Sequence, residues 1–223
     1  MKNPYYITTF GKHTELLNAN SLFPLPEDTK YGDLSLKLMN LAQTVRFINL
    51  KSEFIYKTFN EVHTETEDPI QSYKNSENYS ILSREIETVV YFVRRSIDEL
   101  ISLIYVLDYN LPSKVEIDDI SKLINSKDVG ENLQILKDNY SDFLIRLNDA
   151  SNAYKHSFLN SEGYNLLGRD EPCVLVLGLK GNDLKNGFRF DSISLEYILS
   201  SFKDFLEDSL EILKEYSVNE GKS

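Results

Sequence analysis

The stretch from Ser80 to Tyr109, SILSREIETVVYFVRRSIDELISLIYVLDY, decides the fold. Its apolar residues fall at Ile86, Val89, Val90, Val93, Ile97, Leu100, Ile101 and Ile104, a stripe with helical period. A stripe this wide is expected of the central helix of an α-helical domain. Asn110-Leu111-Pro112 supplies the stop, because proline lacks the donor that the next turn needs.

The same period recurs on both sides. Upstream, Leu34, Leu38, Leu41, Val45, Ile48, Ile55, Phe59 and Val62 predict a helix from about Leu34 to His63, with Asp33 as its N-cap. Between these helices, Thr64 to Asn78 is polar, contains Pro69 and reads as an exposed loop. Downstream, a short helix is expected over Ile117 to Asn125, capped near Asp118. A long one follows from Glu131 to Phe158, with Leu133, Leu136, Tyr140, Phe143, Leu144, Leu147, Ala150, Tyr154 and Phe158 on its buried face.

The period then shortens. Cys173 to Leu179 and Phe188 to Ile193 are β-like runs separated by Gly181-Asn182-Asp183 and Asn186-Gly187, a hairpin signature. A last helix, Ser194 to Tyr216, carries Leu195, Ile198, Leu199, Phe202, Phe205, Leu206, Leu210 and Leu213. The expected fold class is mainly all-α: four long helices in a bundle, with a small β-hairpin (about 173–193) inserted before the last helix. The bundle domain spans 34–216, and the tail 217–223 is expected to fray.

Residues 1–33 read as an irregular N-terminal arm. Pro4, Pro24 and Pro26 interrupt any helix, and Gly11 and Gly32 mark turns. Leu16, Leu17, Leu22 and Phe23 suggest that the arm packs on the body, with short strands around Tyr5 to Phe10.

At 223 residues one domain is the natural expectation. The formal net charge of −11 disfavours broad binding to a phosphate backbone and leaves room only for a local basic site. The one cysteine, Cys173, sits in an apolar run and reads as a buried, inert thiol. Met1 to Phe10 lacks the charged start and apolar core of a secretory signal. Ile97 to Leu107, interrupted by Asp98 and Glu99, is too short to cross a bilayer. A cytoplasmic location without membrane attachment is the resulting expectation.

Most routes to chemistry find no support. His13, His63 and His156 lie far apart, no cysteine pair exists, and so no metal is expected. Gly178, Gly181 and Gly187 do not make a phosphate loop and are better explained by the hairpin turn. Asp204, Glu207, Asp208 and Glu211 read as a solvated helix face. No cofactor is called for.

The patch Asn152-Ala153-Tyr154-Lys155-His156 is different. Asn148, Asn152 and His156 are four apart and share one helical face, with Ser151 and Lys155 on its edge. A histidine at a helix C-terminus is favoured as a cation, titrates near neutrality and can act as a general acid or base. The competing reading is that Asn152 and His156 cap carbonyls and tie down the next loop. On the central helix, Arg94 and Arg95 need partners; Asp98 and Glu99, each four residues on, supply them. A role for either arginine in binding phosphate is the sharper alternative.

A helical bundle whose late helix ends in Asn152-Ala153-Tyr154-Lys155-His156-Ser157 resembles the HEPN superfamily. That resemblance implies an often homodimeric helical bundle, in many members a metal-independent ribonuclease of toxin–antitoxin and other bacterial defence systems. It implies His156 as the catalytic base or acid, with its polar position mapping to Asn152; beside these, Lys155 or Arg94 is the candidate for the missing cation, and Arg94, Arg95 and Asn148 are the candidate substrate-binding residues. The family places an Arg a short spacer upstream of its His. Here Ser151, Ala150 and Asp149 hold those positions, and Arg146 lies too far back. Members without the full motif are often non-catalytic, so the resemblance also implies a binding or regulatory module that works with a protein partner encoded alongside.

Overall fold

The computed structural model describes residues 1–18, 21–63, 69–156, 170–179, 185 and 187–217, with the side chains at 63, 69–77, 156, 177–179 and 188–190 outside that description. Within it the chain is mainly helical. The elements are α1 (Leu34–His63), α2 (Pro69–Asp108), α3 (Ile120–Asn125), α4 (Glu131–His156), β1 (Cys173–Leu179), β2 (Phe188–Ser194) and α5 (Leu195–Lys214). The four long helices and the hairpin before the last of them match the architecture that the apolar periods predict. The expected end of the third long helix at Phe158, the turn at Gly181 to Asp183 and the tail 218–223 lie outside the described residues.

Helix α2 is the centre. Val89, Val93, Ile97, Leu100, Ile101 and Ile104 are fully buried. The stop after it works as the sequence suggests: Asn110 and Leu111 turn left-handed, with φ of 49° and 58°, and the Leu111 amide donates to the Val106 carbonyl at 2.7 Å. At the head of α1, Asp33 Oδ1 accepts from the Leu36 amide at 3.1 Å, an N-cap.

Three local features differ from expectation. Helix α2 begins at Pro69, inside the segment read as a loop. Proline is tolerated in a first helical turn, where its missing donor has no partner to lose. The cap of α3 is Asp119, which accepts from the Lys122 amide, whereas Asp118 pairs with the Lys122 ammonium at 2.5 Å. Helix α4 is kinked at Tyr140, with φ −118° and ψ 15°. The Tyr140 hydroxyl donates to Asp208 Oδ2 of α5 at 2.7 Å, and its ring meets Phe205 edge-on.

The helices run antiparallel in chain-order pairs. Lys51 meets Glu85 and Phe47 meets Phe92, which sets α1 against α2. Asp108 meets Asn132 and Arg94 meets Asn152, which sets α2 against α4. At one end, Asp108 Oδ1 accepts from the Tyr216 hydroxyl at 2.5 Å and from Asn132 Nδ2 at 2.9 Å. β1 and β2 pair antiparallel from Cys173–Ser194 to Leu179–Phe188, and Ser194 passes directly into α5 as its N-cap. Val174, Val176 and Ile193 turn into the core, and Cys173 is buried.

The arm packs as expected but forms no strand among the described residues. Its backbone is held by side chains of α1. Fully buried Asn49 both accepts from the Ile7 amide and donates to the Ile7 carbonyl, each at 2.8 Å. Ser52 donates to the Tyr5 carbonyl, and Asn60 repeats the two-way bond with Lys2. On its other side Thr9 donates to Glu207 of α5. The arm therefore fills the seam between α1 and α5. Side-chain amides satisfy the backbone groups that a strand partner would otherwise satisfy. Ile7, Phe10 and Leu25 are buried, while Leu16, expected to pack, is 94% exposed.

Candidate functional site

The late turns of α4 face the middle of α2. Arg94 Nη1 donates to Asn152 Oδ1 at 3.0 Å, and Arg94 Nε lies 3.6 Å from Asp98 Oδ2. Arg94 is only 8% exposed. A guanidinium taken out of water needs compensation: the Asp98 carboxylate balances its charge and the Asn152 amide oxygen takes one hydrogen bond, while Nε has no hydrogen-bond partner among the described residues. Asp98 also anchors the start of α3, where its Oδ1 accepts from the Ile120 amide at 2.8 Å.

Burial pushes the Asp98 carboxyl above its ordinary range, and Asp119 adds to that. The Ile120 amide, Arg94 and Lys155 oppose the shift without cancelling it. Lys155 is exposed, close enough to act on Asp98 and without an ion pair among the described residues. Asn148 stands one turn before Asn152, and its Oδ1 is buried without a hydrogen-bond partner among the described residues. Tyr154 points the other way, hydrogen-bonded to the Leu175 backbone of β1, and burial drives its hydroxyl far above the usual tyrosine range. His156 is the last residue of α4; its side chain lies outside the described residues.

Of the residues singled out in the sequence, Arg94 and Asn152 are in direct contact, with Lys155 nearby. Arg95 is not among them. Its side chain is 57% exposed, pairs with Glu99 at 3.0 Å and turns to a neighbouring side of α2. There it borders a groove of about 580 Å³ between α1, α2 and the connection to α3, with Lys37, Asn40, Thr44, Asp98 and Asp118 on its wall. Asp98 belongs to both places. It lines the groove and holds Arg94, a link that helical spacing alone does not reveal.

No group of three or more His, Cys, Asp and Glu converges as metal ligands would among the described residues. No helix among them is long and apolar enough to cross a membrane. Fold and site together define a helical-bundle protein with a buried Arg–Asp–Asn junction between two antiparallel helices. No family model, curated protein or solved structure matches the chain.

Proposed function

We propose that this chain is a HEPN-like homodimeric bundle that binds or cleaves RNA in a bacterial defence or stress system. The observation that carries the reading is the 3.0 Å contact between Arg94 and Asn152. The cation that α4 lacks at its own motif positions reaches the polar face from α2. Buried Arg94 orients Asn152; exposed Lys155 meets a phosphate. His156 takes the proton from a ribose 2′-hydroxyl and returns one to the leaving oxygen, with no metal required.

The test is incubation of purified protein with total RNA in EDTA, alongside His156→Ala and Lys155→Ala, and filter binding on the same samples. Cleavage lost in His156→Ala supports catalysis. Binding without cleavage, weakened in Lys155→Ala, supports the non-catalytic form. Intact and unbound RNA at high protein concentration defeats both.

A second reading is a non-catalytic module that engages a protein partner. What favours it is the outward face of α1, where Leu36, Met39, Leu50 and Phe54 are exposed together.

A further inference from the structure

Helix α1 has two apolar faces. The inner one, Leu38, Leu41, Val45, Ile48 and Ile55, is the core contact. The outer one is Leu36, Met39, Phe47, Leu50 and Phe54, with Gln43 between, again at spacings of three and four. Leu36 is 54% exposed and Phe54 42% exposed. Phe47 and Phe92 touch at 4.9 Å, and Phe92 touches exposed Tyr91 at 5.3 Å, so the stripe widens onto α2. It runs for roughly five turns, about 27 Å. A monomer rarely leaves an apolar strip of this length, interrupted only by Gln43, in water.

Its charge is opposite to that of the chain. The protein carries −11, yet α1 has Lys37, Arg46, Lys51 and Lys57 against Glu53 and Glu61. Arg46 is engaged by the His13 and Glu15 carbonyls, and Lys51 by Glu85. Lys57 and, alongside on α2, Arg84 are exposed and without an ion pair among the described residues, while Lys37 turns toward the groove against α2.

We infer that this face is a docking surface for one amphipathic helix of a different protein, with an apolar stripe flanked by Asp and Glu. The inference rests on the protein-partner reading, not on the RNA one. The apolar stripe is the length of one helix, and acidic flanks complement the unpaired cations. The acidic helix α5 cannot serve from another copy, since its apolar residues are already spent in the core. Glu53, at the edge of the same face, is paired with His13 at 2.9 Å.

The test is a selection on the full chain from a displayed library of helical peptides, about five turns long, with apolar positions fixed and flanking positions randomised. Expected are clones enriched in Asp and Glu. Binding should fall about tenfold or more for Leu50→Glu/Phe54→Glu, and similarly when the selected acids are changed to Lys. Both substituted residues are exposed, and circular dichroism checks that the variant keeps its helices. Enrichment of Lys and Arg, or equal binding by the variant, overturns the inference. So does a dimer in sedimentation that Leu50→Glu/Phe54→Glu dissociates, or binding to phosphatidylglycerol vesicles that the same variant loses. A natural partner that binds wild type and variant equally would overturn this surface and leave the module reading standing.

Discussion

Arg94 and Asn152 lie 58 residues apart in sequence and 3.0 Å apart in space, a buried guanidinium donating to an amide oxygen across the α2–α4 seam. Asp98 completes the junction and extends it to the first turn of α3.

Removing the arginine should be costly. Arg94→Ala leaves Asp98 without its counter-charge and Asn152 without its donor, and is expected to destabilise by about 3 kcal/mol. Arg95→Ala, an exposed surface pair, should stay within about 0.5 kcal/mol. Urea denaturation of the two neighbours compares them directly. Equal effects would mean that Arg94 is not a structural cation.

Asp98 gives a pH signature with a definite sign. Its carboxyl is raised in the folded chain, chiefly by burial. Below the ordinary aspartate range both states are protonated and nothing is lost. As pH climbs through that range and up to the raised value, the unfolded chain ionises first and the fold loses stability. Asp98→Asn removes this loss. Its stability relative to wild type should therefore rise across that window and then level off. A flat or falling difference would contradict the burial argument.

The arm depends on Asn49. Asn49→Ala leaves both backbone groups of Ile7 buried and unpaired, at a cost of about 3 kcal/mol. Asn60→Ala acts on an exposed pair with Lys2 and should cost about 1 kcal/mol or less. Hydrogen exchange at the Ile7 amide is the sharper readout. It should accelerate strongly in the first variant and little in the second.

Tyr216 is pushed up to about 12 by burial and by its bond to Asp108. Above the normal tyrosine range the unfolded chain ionises first, so this group withdraws stability as pH rises from about 10 to its folded value. Tyr216→Phe should shrink that alkaline loss while removing one hydrogen bond, about 1 kcal/mol, at neutral pH. Helical signal followed against alkaline pH separates the two effects.

Much of the fold was legible in the chain itself. The extents of α1 and α5, the stop at Asn110 to Pro112 and both strands follow from period and punctuation. The start of α2 at Pro69 was not legible, because polar residues carry no apolar period. The strands expected near Tyr5 to Phe10 were absent for another reason. An alternating run finds a sheet only if an edge is available, and here Asn49, Ser52 and Asn60 offer side chains instead.

The candidate site divides in the same way. Spacing alone placed Asn148, Asn152 and His156 on one face and paired Arg94 with Asp98 and Arg95 with Glu99. That is local geometry, set by the rise and turn of a helix. Only the tertiary structure decided that Arg94 turns inward to Asn152 while Arg95 turns out to the groove, and that one face of α1 stays uncovered. Those outcomes depend on the register between helices far apart in sequence, which the packing of the whole core determines.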